Sequence, residues 1–107
     1  MKKIIVISKD FSRSPSGRHY TDGSFSGQRF REEFLVPALK NGKVEVNLDG
    51  VLTLGSSFLD EAFGGLVREA GLSIPEIKEK LTITGRLETF TNKAWSHITD
   101  PKNKKTK

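Results

Sequence analysis

Two adjacent serines, Ser56 and Ser57, stand where a strand pattern gives way, through a loop with glycines, to a helical pattern. The first turn of a helix offers unpaired backbone N–H groups and the positive end of the helix dipole, which suit an anion or a phosphorylated hydroxyl. The plainer interpretation makes Ser57 the helix N-cap and Ser56 a loop hydroxyl. We therefore single out Ser56 as a candidate phosphorylation site and predict that Ser57 caps the helix.

A second group of chemically active side chains lies in the segment from Lys9 to Phe25. This segment has no apolar period and is longer than most loops in small domains. An arginine here can hold a phosphate with two hydrogen bonds, and a histidine three residues before an aspartate can form an acid–base pair. Turn formation explains the same residue types. The candidates are Arg13, Arg18, His19 and Asp22.

Several classes of catalytic site are absent from the sequence. The chain has no Cys, which excludes thiol nucleophiles, disulfides and cysteine-based metal centres. His, Asp and Glu show no metal-ligand spacing, and His97 is expected on the exposed side of the last helix. We find no Gly-rich phosphate loop and no convergent catalytic constellation. We therefore expect a non-enzymatic protein with no metal and no cofactor.

The periodicity of apolar residues predicts the elements that position these side chains. Strands are predicted at 2–8, 43–48 and 81–84, and helices at 26–40, 57–70, 74–80 and 87–98. The alternation predicts an α/β fold in which a small mixed β-sheet is packed with amphipathic helices. An edge strand hidden in the segment from Lys9 to Phe25 would enlarge that sheet. Gly64 and Gly65, inside the second long helix, suggest a close approach of this helix to the sheet.

Charge divides the chain into two parts. The net charge is +5, but four lysines follow residue 100 with no acid among them, so the first 100 residues carry only +1. We predict one domain at 1–100 and a basic, disordered tail at 101–107. No apolar run is long enough for a membrane span, and we expect a cytoplasmic protein without membrane contact. The tail lysines are Lys102, Lys104, Lys105 and Lys107.

The run from Val44 to Val67 resembles the central segment of STAS domains, a family that includes the bacterial anti-sigma-factor antagonists. More specifically, the chain resembles an uncharacterised STAS-like family found beside, or fused to, ATPase domains of the histidine-kinase type. The resemblance covers about residues 2–100. The stretches that carry it are Gly17-Arg18, Asp22-Gly23, Phe25-Ser26-Gly27, Phe30-Arg31 and Gly55-Ser56-Ser57-Phe58-Leu59 through Gly64-Gly65-Leu66.

The resemblance implies a regulatory role in protein–protein interaction. In STAS antagonists an Asp-Ser-Ser-Gly run begins this helix, and its first Ser, which Ser56 matches, is phosphorylated by the partner ATPase. Two positions depart from that run, since Gly55 replaces the Asp and Phe58 replaces the Gly. The implied partner is a histidine-kinase-like ATPase or an anti-sigma-type regulator, and the mechanism is a phosphoserine switch. The expected contact residues are Ser57, Phe58, Arg18, His19 and Asp22.

Two alternatives from other functional classes stay open at this point. A nucleic-acid-associated protein would use the lysine tail and the arginines of the loop, although a nearly neutral body argues against it. A small-ligand or nucleotide sensor would use the loop over the edge of the sheet. The sequence identifies neither the partner nor the oligomeric state.

Overall fold

Three parallel strands form the sheet in the computed structural model, which describes residues 2–105 and the side chains as far as residue 103. They are β1 (Lys2–Val6), β2 (Lys43–Asn47) and β3 (Leu81–Thr84), in the spatial order β1-β2-β3. The register aligns Ile5 with Val46 and Val46 with Ile83, and all three side chains are buried. The opposite face is more polar, and Ile4 lies exposed on it.

Helices follow each strand, and two of them change their hydrogen-bonding pattern along their length. Helix α1 has an α-helical start at Gly27–Arg29, a π-helical middle at Phe30–Leu35 and an α-helical end at Val36–Lys40. Helix α2 has the same three parts at Ser56–Leu59, Asp60–Gly64 and Gly65–Arg68. Helices α3 (Ile74–Lys80) and α4 (Glu88–Ile98) are regular. No helix in residues 2–105 is long and apolar enough to cross a membrane.

The predicted α/β class is confirmed, with two differences in the sheet. Both strand pairs are parallel, where a mixed sheet was expected. Helix α1 connects β1 to β2, and helices α2 and α3 connect β2 to β3. Each of these crossovers returns the chain to the end of the sheet at which the preceding strand began, so consecutive strands run in the same direction. The segment from Lys9 to Phe25 adds no strand to the described sheet. A π-helical turn at Ile7–Phe11 leads into this segment, and the segment itself holds a 3₁₀ turn at Tyr20–Asp22.

Phe58 belongs to the core, so its assignment as a partner-contact residue is wrong. Its side chain is fully buried, and its ring lies 6.0 Å from that of Phe30 and 6.2 Å from that of Phe11. Position 58 falls on the inward face of α2, three residues after the last loop glycine, and a large apolar ring there is stabilised by leaving water. The resemblance to the STAS run places position 58 beside the serines in sequence, whereas the helical face decides that its side chain is buried.

The start of the C-terminal segment packs on the domain, so the prediction of a disordered tail is wrong for this part. Residues Pro101–Lys105 form a 3₁₀ helix. The buried Asn103 donates from Nδ2 to the carbonyl oxygens of His97 (2.8 Å) and Ile98 (2.9 Å). It thereby satisfies two carbonyls that the end of α4 leaves without helical partners. The side chains of Lys104 and Lys105, and all of Lys107, lie outside the described part.

Gly27 allows the first turn of α1 to lie directly against α2. A Cβ atom at this position would stand 2.6 Å from the carbonyl oxygen of Phe58 and 2.9 Å from Cβ of Glu61. The predicted cap precedes it, since Ser26 Oγ accepts a 3.2 Å hydrogen bond from the Arg29 N–H. The close approach fixes where the loop before α1 meets the middle of α2.

We expect Gly27→Ala to lower the free energy of unfolding by about 2–3 kcal/mol, because the added methyl group meets backbone atoms that cannot turn aside. Gly55→Ala is the matched control. It has a φ of −78° and no atom within 4 Å of an added Cβ, and we expect a cost below about 1 kcal/mol. Urea melts of the two variants measure the difference. Equal urea midpoints for Gly27→Ala and Gly55→Ala would contradict the close approach of α1 to α2.

Candidate functional site

The first turn of α2 presents both serines to solvent, but neither caps the helix. The helix begins at Ser56, and Gly55 occupies the N-cap with φ −78° and ψ 156°. Ser57 is therefore already the second helical residue, and no side chain closes a cap hydrogen bond. The prediction that Ser57 caps the helix is wrong because a glycine takes that position without strain. Both hydroxyl side chains lie exposed.

One turn along the helix, Asp60 is buried and surrounded by cationic groups. Its N–H donates to the Ser56 carbonyl, so the two residues are stacked on one face of α2. Its carboxylate, about 5 % exposed, contacts side chains from four separate segments of the described chain. These contacts are Arg18 Nη1 at 2.7 Å, Arg68 Nη2 at 3.1 Å, Lys102 Nζ at 3.2 Å and His97 Nδ1 at 3.3 Å.

A second buried carboxylate follows directly. Glu61 Oε2 accepts a 2.8 Å hydrogen bond from Nη1 of Arg31, which is itself buried in α1. The other oxygen of Glu61 lies 3.7 Å from Nε2 of His19 and 3.9 Å from Nη1 of Arg18. Glu61 thus connects α2 with α1 on one side and with the loop on the other.

Gly64 and Gly65 leave room for these ion pairs. A Cβ at position 64 would stand 2.7 Å from Nη1 of Arg68 and 3.0 Å from Oδ1 of Asp60, and one at 65 would overlap the guanidinium of Arg31. The expectation of a close approach between this helix and the sheet is therefore wrong. The glycines accommodate charged side chains and, at Gly64, the backbone carbonyl oxygen of His97 in α4, 3.1 Å from an added Cβ, rather than a strand.

The loop before α1 holds Arg18 and His19 against α2. The carbonyls of Gly17 and Arg18 accept the N–H groups of Gly27 and Gln28, at 2.9 and 2.8 Å. Gly17 has a φ of +88°, and a Cβ there would stand 2.7 Å from Cβ of Asp22, so glycine is required. The loop is thus anchored to the helix start that Gly27 presses against α2.

Asp22 organises this turn rather than pairing with His19. Its carboxylate accepts the backbone N–H groups of Arg18 (3.1 Å) and His19 (3.0 Å), while Nδ1 of His19 is 4.0 Å away. The backbone hydrogen bonds from His19 and Arg18 lower the pKa of Asp22 below its usual value. Arg13, the remaining loop candidate, is exposed and makes no ion pair with the described residues.

The structure thus brings Arg18 and His19 to the same helix as Ser56, and it adds residues that sequence reasoning missed. His97 was expected on the exposed side of α4, yet its imidazole faces Asp60 and is only 21 % exposed. The sequence pattern predicts Asp60 only as the acidic partner of Ser57 in a capping box, a role that the helix start at Gly55 excludes. The signal available in the sequence was the glycine pair that follows Asp60 at i+4 and i+5.

The charge of Asp60 depends on its neighbours. Burial alone raises the pKa of this carboxyl, but hydrogen bonds from Arg18, Lys102 and Arg68 outweigh burial and hold the pKa well below its usual range. The carboxylate is therefore ionised in the folded state throughout the neutral range. In the described residues no group of three or more His, Asp or Glu side chains has the geometry to hold a metal ion.

Comparison with known families identifies one match. The family model of the STAS-like domain of unknown function (DUF4325) matches residues 26–86. The matched part includes Ser56, Asp60 and Glu61, whereas Arg18 and Lys102 lie outside it. No curated protein and no solved structure matches the chain.

We expect Asp60→Asn to lower the free energy of unfolding at pH 7 by about 2–3 kcal/mol, because the neutral amide loses the charge-assisted hydrogen bonds from Arg18, Arg68 and Lys102. Because the folded-state pKa of Asp60 is depressed, its contribution is complete above the unfolded-state pKa of about 3.9 and is lost as pH falls below it. The difference in the free energy of unfolding between wild type and Asp60→Asn should therefore become smaller below about pH 4.

The control for this prediction is Glu33→Gln, which removes an exposed carboxylate 3.2 Å from Arg29. Exposed ion pairs contribute little, so we expect a cost below about 1 kcal/mol. Urea melts between pH 2.5 and 7 measure both variants. A gap that stays constant over this range would show that the Asp60 carboxylate is not the stabilising charge.

Proposed function

Because the chain belongs to the STAS-like family of unknown function, we propose that it is a regulatory protein-interaction module that binds a partner around the first turn of α2. One observation carries the proposal. Ser56 is exposed at a helix start, makes no capping hydrogen bond, and stands one turn from a buried cluster of charges. A hydroxyl that the fold does not use is free to be modified without unfolding the domain.

The proposed regulation is partner switching by phosphorylation. A histidine-kinase-like ATPase supplied by another chain, or another domain, transfers the γ-phosphoryl group of ATP to Oγ of Ser56. The new P–O bond forms as the bond to ADP breaks, and the hydroxyl proton passes to solvent. The product carries about −1.5 to −2 charges at neutral pH, which changes the affinity of any partner that contacts this turn.

Local geometry supports phosphorylation at this position. The Ser56 side chain is exposed, so a phosphoryl group on its Oγ extends into solvent. The first turn of a helix also stabilises negative charge through its free N–H groups and its dipole.

The proposed contact surface consists of Ser56, Ser57, Arg18 and His19. Asp22 belongs to it indirectly, since its carboxylate fixes the backbone of the two basic loop residues. The buried carboxylates do not suggest catalysis. Asp60 and Glu61 are held by arginines at 2.7 and 2.8 Å, an arrangement that favours a positioning role over proton transfer.

A small-ligand sensor is the second candidate function, and one cavity favours it. A cavity of about 360 Å³ lies at the carboxyl ends of β2 and β3, where open parallel sheets commonly bind ligands. Asp49, Arg86 and Phe90 contribute side chains to its lining. A thermal-shift screen with nucleotides tests this alternative, since a ligand that binds the folded state raises the melting temperature.

We expect Ser56→Asp to change the affinity for the associated histidine-kinase-like ATPase by at least about tenfold, or about 1.4 kcal/mol. The new charge stands inside the proposed contact surface. Lys93→Asp, on the exposed side of α4, is the control and should change affinity by less than about 0.5 kcal/mol. Isothermal titration calorimetry measures both. An affinity that is unchanged in Ser56→Asp but lost in Arg18→Ala would place the partner contact on the loop. That result would reject the phosphorylation switch.

A further inference from the structure

We propose that a phosphate on Ser56 is bound within the same domain by Arg18. The guanidinium of Arg18 leaves the Asp60 carboxylate and pairs with the phosphate. This inference rests on the proposed function, because it specifies how phosphorylation of the same site is converted into a change of the binding surface. The result is a rearrangement of the Gly17–Asp22 turn, which forms half of that surface.

The first step is the proximity of the two acceptors. The Asp60 N–H donates to the Ser56 carbonyl, so the side chains at 56 and 60 are neighbours on one helix face, with Cβ atoms about 5–6 Å apart. Nη1 of Arg18 already lies 2.7 Å from Oδ2 of Asp60. A phosphate on Ser56 would therefore be within reach of this guanidinium by side-chain rotation, without movement of α2.

The second step is that Arg18 is the arginine of the cluster best able to move. Its side chain is 40 % exposed, against 20 % for Arg68 and 4 % for Arg31. Lys102 is more exposed, at 50 %, but its ammonium group offers no planar two-bond contact. Arg68 is also held by the Asn103 side chain at 2.8 Å. Arg18 donates one described hydrogen bond from its guanidinium, to Asp60, so its other N–H groups are available for a two-bond contact with phosphate.

The third step is that Asp60 tolerates the loss. After Arg18 leaves, Arg68, Lys102 and His97 still contact the carboxylate at 3.1–3.3 Å, so no buried charge is left bare. Glu61 differs in this respect, since Arg31 is its principal partner. The contact between Arg18 and Asp60 is therefore exchangeable, and it is the shortest of the ion pairs that join the loop to α2.

The consequence for the surface follows from the backbone of Arg18. Its N–H is bound by Asp22, and its carbonyl accepts the Gln28 N–H at 2.8 Å. A displaced side chain pulls on this turn and shifts the neighbouring His19 away from Glu61. Phosphorylation would thus change the shape of the surface as well as its charge.

The experiment uses the full chain carrying phosphoserine at position 56, introduced during translation, and measures the second pKa of the phosphate by ³¹P NMR titration. A guanidinium paired with the phosphate favours its dianion, so Arg18→Ala should raise this pKa by about 1 unit relative to the phosphorylated wild type. Arg29→Ala is the matched control and should leave it within about 0.2 units. Arg29 is similarly exposed but is paired with Glu33.

A second measurement follows the loop itself. Amide hydrogen exchange at Arg18 and His19 should become at least about threefold faster on phosphorylation of wild type, because the contact that ties the turn to α2 is lost. Arg18→Lys covers the case in which Arg18→Ala folds poorly. It keeps the charge but lacks the planar two-bond contact, and its phosphate pKa should fall between the other two.

Equal phosphate pKa values in wild type and Arg18→Ala, or unchanged exchange in the loop, would overturn the inference, since the helix start alone would then hold the phosphate. Such a result does not contradict the proposed function if Ser56→Asp still changes the affinity for the partner. Conversely, a phosphate pKa that depends on Arg18 as expected, together with a partner affinity that is unchanged by Ser56→Asp, would reject the proposed function alone.

Discussion

The carboxylate of Asp60 is the point on which the arrangement of the site depends. A buried, ionised carboxylate is strongly unfavourable unless it is paired, and this one is paired by groups from the loop, from its own helix, from α4 and from the C-terminal segment. Each of those segments is therefore held in place by the same charge. Arg18 and Lys102, 84 positions apart in the printed sequence, become neighbours through it.

The π-helical parts of α1 and α2 occur where the two helices carry these charges. Arg31 lies in the π-helical part of α1, and Asp60 and Glu61 lie in that of α2. A π-helical turn adds a residue and redirects the side chains around it, and such turns are frequent at functional sites. In α1 the distortion has a local cause. Pro37 has no N–H, and the Val36 N–H reaches back to the carbonyl of Arg31.

The family match covers only part of the charge cluster around Asp60. Residues 26–86 supply the helix with the exposed serines and the two buried carboxylates. The groups that complete the cluster come from segments before and after the matched part, and they are Arg18, His97 and Lys102. The serine-bearing turn and both buried carboxylates thus lie within the matched residues, while three of the groups that contact the carboxylates lie outside them.

The sequence alone determined the elements and their class. Leu81–Thr84 and the helices at 74–80 and 87–98 were predicted close to their observed bounds, because apolar periodicity and caps such as Ser73 act over a few neighbouring residues. The helix start at Ser56 was also predictable to within one residue, since a glycine and two serines before an apolar period mark it locally.

Only the tertiary structure decided what the individual side chains do. Phe58 is a core residue, His97 faces inward, and Gly64 and Gly65 make room for guanidinium groups, all of which depend on contacts between segments distant in sequence. The pairing of Asp60 is of the same kind. A carboxylate on a helix is ordinarily solvated, and it becomes the centre of a site only when the fold removes water and brings the cations to it.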